Sequence, residues 1–160
     1  MTSFAMPTPG PPHEQLARLA GEWSGEEVLH PSPWDPDGGT ARGHWWFRMG
    51  LDGFYLLADV QQEHTPGTVN YRAHGVFGWD ARGQCYTMHW FDPVGIDPGR
   101  PALGSFEQPA FTFIHETTWL GNSRYTFALA DGRLRVRVEN AAGAGGEWRT
   151  FLDGTYMLVR

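Results

Sequence analysis

The chain has 160 residues and a mass of 18.0 kDa, which is the size of one domain and leaves no room for two complete cores. Hydrophobic residues make up 41% and aromatic residues 14%, so a packed interior is expected and global disorder is not. The formal net charge of −6 argues against a nucleic-acid or anionic-membrane partner, and the absence of lysine excludes a P-loop, a Schiff-base enzyme and a lysine general base.

A single cysteine, Cys85, excludes an internal disulfide and a cysteine-based zinc site, and we interpret it as a small half-buried hydrophobe. The sequence lacks the charged start and apolar core of a signal peptide. No apolar run approaches the ~20 residues that a membrane-spanning helix needs. We therefore expect a cytoplasmic protein without a membrane span.

The start of the chain predicts an arm and a short helix. Residues 1–11 are rich in Pro and Thr and predict a disordered arm, which leaves 12–160 as one domain. A short helix is expected over 12–21, because Leu16 and Leu19 share one face of it.

Everything after the helix predicts short strands separated by Gly, Asp and Pro. The predicted strands are 22–30, 41–49, 54–64, 69–79, 84–92, 110–117, 123–130, 133–140 and 146–158, with a weaker one near 103–108. Sequential strands with such tight connections form an antiparallel meander. The sequence therefore predicts an all-β protein, an antiparallel up-and-down β-barrel of eight to ten strands with a short N-terminal capping helix.

The turns between these strands predict which side chains face inward. The cross-strand pairs expected in three hairpins are Phe47 with Leu56, Phe77 with Tyr86, and Phe127 with Val136. The inward side chains are then Trp45, Phe47, Met49, Phe54, Leu56, Tyr71, Phe77, Tyr86, Met88, Trp90, Tyr125 and Phe127. A barrel of this width is not expected to be filled by its own side chains, so this lining predicts a cavity for an apolar or aromatic small molecule.

The segment Gly21-Glu22-Trp23 resembles the Gly-x-Trp signature that opens calycin barrels, the lipocalins and their relatives. That resemblance implies that Trp23 plugs the closed end of the barrel. It also implies that an arginine of the last strand stacks on Trp23, for which Arg160 and Arg149 are the alternatives.

An ordered set of motifs is similar to a bacterial lipocalin-like family, domain of unknown function 1579. The motifs are His13-x-x-Leu16-x-x-Leu19-x-Gly21-x-Trp23, Gly50-Leu51-Asp52-Gly53-Phe54, Gly75-Val76-Phe77-Gly78-Trp79-Asp80, His89-Trp90-Phe91-Asp92 and Trp148-x-x-Phe151-x-x-Gly154-x-Tyr156. The resemblance implies a lipocalin-like fold with a ligand cavity, and it implies no reaction.

Two groups of polar residues could carry chemistry. One is a row across four adjacent strands, close enough together to share a metal ion, formed by His44, Asp59, His74 and His89. This row shares its face with Arg48 and Glu63, which indicates a solvated exterior, so no metal site is predicted.

The second group points into the barrel. Alternation along the strands places Glu27 and His115 inside, where each needs a hydrogen-bond partner. The partner could be the other residue of the pair or the hydroxyl of Tyr71, Tyr86, Tyr125 or Tyr156. The pair either completes a structural network or acts on a bound molecule.

Two classes of function follow. The first is a carrier that binds a hydrophobic small molecule against the inward residues and His115. The second is an enzyme, an isomerase, cyclase or hydrolase of a hydrophobic metabolite, with Glu27 and His115 as its catalytic acid and base. No cofactor is predicted; a haem-binding barrel with His115 as the axial ligand is the variant with a simple spectroscopic test. Outward Trp46 and Leu57 could support a homodimer.

Overall fold

Ten antiparallel strands form a closed barrel in the computed structural model, which describes residues 3–33, 35–94, 99–116, 121–143 and 145–160. Each strand pairs with the next along the chain, and the first pairs with the last. The predicted up-and-down barrel with a short N-terminal helix is confirmed, and the weakly predicted strand near 103–108 is one of the ten.

The elements follow the predicted order with small changes of length. They are α1 (Pro11–Ala17), β1 (Gly21–Leu29), β2 (Gly39–Gly50), a 3-10 turn (Leu51–Gly53), β3 (Tyr55–Thr65), β4 (Thr68–Asp80), β5 (Cys85–Phe91), β6 (Ala102–Glu107), β7 (Ala110–Glu116), β8 (Asn122–Ala130), β9 (Arg133–Ala141) and β10 (Arg149–Leu158). The helix is shorter than predicted, and the last strand begins three residues later. Thr117, predicted to end β7, lies outside the described residues. None of the described helices is long and apolar enough to cross a membrane.

The meander gives the barrel two different ends. One end carries α1 and the short turns after β2, β4, β6 and β8, and we call it the closed end. The connections after β1, β3, β5, β7 and β9 lie at the opposite end, which we call the open end. Helix α1 packs against β3 and β4, and the hydroxyl of Tyr86 donates a hydrogen bond to the carbonyl oxygen of Pro12 (3.1 Å).

Phenylalanine rings fill the closed half of the barrel. Phe77, Phe113 and Phe127 are fully buried, and their ring centroids lie 5.4–6.1 Å apart in edge-on contacts. Edge-to-face packing adds to the hydrophobic free energy of burying each ring, about 1.5–3 kcal/mol. Predicted ligand-contact residues that are buried in this core are Phe47, Phe77, Tyr86 and Met88. In this half the barrel is packed with its own side chains.

Two of the three predicted hairpin registers are wrong by two residues. Phe47 pairs with Ala58, and Phe77 pairs with Met88. In the first hairpin the chain reverses through a 3-10 turn with Asp52 at φ 55°, so pairing starts at Gly50 and Tyr55. Because the side-chain period of a strand is two, this slip leaves the inward and outward faces unchanged. The third hairpin has the predicted register.

The structure overturns two predictions, that Phe54 faces the barrel interior and that four polar residues form one row on the outer face. Phe54 caps the 3-10 turn, outside any strand, and its ring meets His13 edge-on (5.1 Å), so it does not line the barrel. On the outer face His44 pairs with Gln61 and His89 with Val76, which leaves only His74 beside Asp59 (2.8 Å). The described residues contain no group of three or more His, Cys, Asp or Glu side chains that could hold a metal ion.

Trp23 lies between the helix and the barrel at the closed end. Its side chain is 3% exposed, packs in the same cluster as Leu16 and Leu19, and donates from Nε1 to the carbonyl oxygen of Leu19 (2.9 Å). On the neighbouring strand its partner is Leu158. Trp23 therefore seals this end.

The prediction that Arg160 or Arg149 stacks on Trp23 is wrong for both residues. Arg160 is highly exposed and forms an ion pair with Glu22 (3.2 Å), because the backbone of β1 and the C-terminal residues pair side by side there. Arg149 begins β10 opposite Asn140, at the open end. The cation–π contact found in the described part of the chain joins Arg124 to the ring of Trp148.

We predict that Trp23→Ala lowers the free energy of unfolding by about 3–5 kcal/mol, because the substitution removes a buried ring and leaves a cavity. Trp46→Ala, on the outer face of β2, should cost about 1 kcal/mol or less. Urea unfolding of the two variants beside the parent measures the difference. Equal losses for both variants would contradict the sealing role of Trp23.

Candidate functional site

Aromatic and polar side chains line the open half of the barrel. Tyr71, Trp90 and Tyr125 point inward, because they alternate with outward neighbours on β4, β5 and β8. They are only partly buried, as are Trp79 and Phe106 at the closed end. Part of each ring is therefore in contact with solvent.

Glu27 is the buried charged residue of this region. Its side chain is 2% exposed on β1 and accepts a hydrogen bond from the Tyr156 hydroxyl at Oε1 (2.6 Å) and another from the Gln62 amide at Oε2. Two glycines make the space: a Cβ at Gly43 would collide with the Glu27 carboxylate, and one at Gly154 would collide with the Tyr156 hydroxyl. The predicted inward orientation of Glu27 agrees with this placement.

Burial controls the protonation of this pair. Burial raises the pKa of Glu27, while the hydrogen bonds from Tyr156 and Gln62 and the charges of His64 and His44 lower it in part. Burial, followed by the neighbouring Glu27 charge, holds the pKa of Tyr156 well above its ordinary value. Tyr156 therefore stays a hydroxyl donor, and Glu27 is a carboxyl group that holds its proton more tightly than an exposed glutamate.

The indole of Trp45 stands beside this pair. Trp45 is 5% exposed, and its ring meets the Tyr156 ring edge-on at 6.2 Å. The indole N–H lies near the Tyr156 hydroxyl and lowers its pKa, but no hydrogen bond of ordinary geometry joins the two groups. No other acceptor for it is found among the described residues. An unpaired buried N–H costs about 1–3 kcal/mol, so an acceptor on a bound molecule would be stabilised here.

A second carboxylate lies where β5 leaves the barrel. Asp92 accepts hydrogen bonds at Oδ2 from the Tyr71 hydroxyl (2.8 Å) and the Trp90 indole (3.2 Å), and at Oδ1 from the backbone N–H of Val94 (3.0 Å). Burial and then the Asp92 charge raise the pKa of Tyr125 to about 12, and the same two causes raise the pKa of Tyr71.

The sequence reasoning missed Asp92 as a site residue. The sequence could have indicated it, because Asp92 is two residues from Trp90 and four from Met88 on the same predicted strand, and such residues point to the same face. Gln62 was missed in the same manner, although it shares its parity with Val60 on β3.

A row of aromatic rings connects the two carboxylates. Tyr156 contacts Trp45, Trp45 contacts Trp90 (centroids 5.9 Å apart), and Trp90 contacts Tyr125 (6.2 Å). Within the described parts of the chain, neither Glu27 nor Asp92 forms an ion pair with an arginine or histidine. The open half thus combines this row of four rings with two carboxylates that form no ion pair among the described residues.

His115 lies apart from Glu27. It is half-buried near the end of β7, opposite Ser123, and its Nε2 lies 3.2 Å from the carbonyl oxygen of Arg100. Glu27 is instead bonded to Tyr156 and Gln62. The structure therefore gives the two residues of the predicted acid–base pair separate partners.

The outer face of β7 to β10 carries a groove of about 630 Å³. Two ion pairs cross it: Arg124 donates two hydrogen bonds to Glu139 (2.7 and 2.9 Å), and Arg137 donates one to Asp153 (2.8 Å). Arg124 and Arg137 are thus paired within the sheet, whereas Arg135, which also lines the groove, forms no ion pair among the described residues.

Comparison with known proteins gives a family and a fold. The family described as protein of unknown function (DUF1579) matches residues 8–97. The crystal structure of Rv2717c from M. tuberculosis is similar over 94% of this chain and 99% of that one, with a TM-score of 0.70 and 13% identity. At that identity the similarity concerns the fold alone. No curated protein matches the sequence.

The buried carboxyl predicts a pH-dependent difference in stability. Because the pKa of Glu27 is raised on folding from 4.5, its stabilising contribution is complete below that value and is lost as the pH rises through the folded pKa. Glu27→Gln keeps the shape without the charge. We expect this variant to become more stable relative to the parent as the pH rises from about 4 to about 8.

The groups that act on the pKa of Glu27 are Tyr156 on β10, Gln62 and His64 on β3, and His44 on the outer face of β2, and all are unchanged in the variant. Glu26→Gln, an exposed neighbour, is the matched control and should show no such trend. Urea unfolding across this pH range measures both. A difference between parent and Glu27→Gln that does not change with pH would show that Glu27 is not desolvated.

Proposed function

The chain belongs to DUF1579, a family of unknown function, and we propose that it binds a small molecule with an aromatic or apolar body in the open half of its barrel. The body of the ligand packs against Trp45, Trp90 and Tyr125, and its polar group meets Trp45, Tyr156 and Glu27. The observation that carries this proposal is the buried Trp45 N–H without an acceptor beside the Glu27–Tyr156 pair.

The contrast between the two halves supports the same function. The closed half is packed and sealed by Trp23, so it can hold the strands in place without a ligand. In the open half Tyr71, Trp90 and Tyr125 stay in partial contact with solvent, which costs hydrophobic free energy unless another molecule covers them. A few polar groups among such rings are the usual composition of a small-molecule site.

Binding of 1-aminoanthracene, a neutral dye that becomes fluorescent in apolar sites, tests this proposal. We expect the parent to bind the dye and Trp90→Ala to bind it about 5–10-fold more weakly, because the substitution removes one wall. Trp46→Ala, one residue from Trp45 but outside the barrel, should stay within about twofold of the parent.

The dye experiment contradicts the proposal if the parent takes up no dye. It also contradicts the proposal if the inner and outer tryptophan variants weaken binding equally. Thermal melts of both variants establish that each is folded under the binding conditions.

An enzyme is the second candidate, and Glu27 is the observation that favours it. A buried carboxyl group with a raised pKa, bonded to a tyrosine hydroxyl, suits proton transfer to or from a hydrophobic metabolite. Glu27→Gln should then abolish turnover of candidate substrates while leaving dye binding in place. Turnover that survives the substitution would contradict this candidate.

Haem is the cofactor that His115 would suit. Its half-buried imidazole, whose Nε2 lies 3.2 Å from the Arg100 carbonyl oxygen, would supply a nitrogen ligand for the haem iron. Haem added to the parent should then give a Soret band that His115→Ala alters. An unchanged spectrum, or one that His115→Ala does not affect, excludes this role.

A further inference from the structure

We infer that the molecule bound in the open half is an organic cation, a quaternary or protonated amine carried on an aromatic or apolar body. This inference rests on the proposed binding function and names the chemical class of its ligand. It follows from the combination of two carboxylates and four aromatic rings on the inner wall.

The two carboxylates favour a positively charged ligand. Glu27 lies deep in the open half and Asp92 at its rim, and each is held by neutral donors, which are Tyr156 and Gln62 for Glu27, and Tyr71 and Trp90 for Asp92. Hydrogen bonds orient these groups but do not neutralise them. A carboxylate taken out of water without an ion pair is costly, and none of the described arginines or histidines forms one with Glu27 or Asp92, although the charges of His64 and His44 act on Glu27 beyond ion-pair distance.

The rings supply the second part. Trp45 and Trp90 lie between the two carboxylates, with centroids 5.9 Å apart, and Tyr125 and Tyr156 extend the row at its two ends. The negative faces of such rings attract an organic cation within about 6 Å, and tryptophan does so most strongly. Carboxylates joined by a row of rings therefore favour a positive ligand over a neutral or negative ligand of the same shape.

The Trp45 N–H adds a further requirement. It is a buried donor without an acceptor among the described residues, so the ligand should also carry a hydroxyl, ether or carbonyl oxygen for the tightest binding. The site is then matched to a cation with a nearby oxygen acceptor. The side chains of the wall determine the chemical class of the ligand and not a particular compound.

Three probes of similar shape and different charge test the inference: phenyltrimethylammonium, 2-phenyl-2-propanol and benzenesulfonate. Each is titrated at about pH 8, where histidines are ordinarily neutral. The indole N–H signals of Trp45 and Trp90 are followed by nuclear magnetic resonance, so that binding is located as well as measured. We expect the cation to bind at least about tenfold more tightly than either other probe.

Two isosteric variants assign the effect to the carboxylates. Glu27→Gln and Asp92→Asn should each weaken phenyltrimethylammonium binding by about 5–10-fold and leave the neutral probe within about twofold. Asp59→Asn removes the same charge from the outer face, where Asp59 is bonded to His74, and should change neither affinity. The spectra of the variants show whether each retains the parent fold.

The outcomes separate the inference from the proposed function. If the neutral or anionic probe binds as tightly as the cation, or if the variants retain full cation affinity, the inference is overturned and small-molecule binding stands. If no probe shifts the Trp45 and Trp90 signals and 1-aminoanthracene does not bind, both are overturned.

Discussion

The pairing of β1 with β10 is the interaction on which the rest of the barrel depends. It closes the sheet, and its register places Trp23 opposite Leu158, Gly25 opposite Tyr156, and Glu27 opposite Gly154. One strand pair therefore carries both the seal of the closed end and the buried carboxyl of the open half. A slip of one residue would turn Trp23 and Glu27 outward together.

The two halves of the barrel differ in how their inward side chains are satisfied. Interlocked phenylalanine rings and the helix give the closed half the packing of an ordinary protein core. The open half instead holds Glu27 away from water and leaves the Trp45 N–H without an acceptor, both of which oppose folding. Under the proposed function, these two groups are the ones that contact the ligand.

The fold and the direction of most side chains could be predicted from the sequence, because alternation along a strand is insensitive to a slip of two residues. Two hairpins carried such a slip and kept their faces, whereas Phe54, at the edge of a turn, did not follow the pattern. The inward direction of Glu27 followed from counting, and Tyr156 was one of four tyrosines expected as a possible partner, but the choice among them and the contact with Gln62 did not follow. Gln62 and Tyr156 reach it from strands β3 and β10, and only the closure of the barrel brings them together. The arginine expected on Trp23 failed for the same reason, since the position of the C-terminus depends on that closure.

Hydrogen exchange of the tryptophan indole N–H groups tests most directly whether this barrel is sealed at one end and open at the other. The Trp23 N–H, bonded to the Leu19 carbonyl oxygen inside the seal, should exchange only through unfolding of the domain. The Trp90 N–H, at the open end beside Asp92, should exchange about a hundredfold faster than the Trp23 N–H, or more, without unfolding of the domain. Equal rates for the two indoles, or a faster rate for Trp23, would contradict the account.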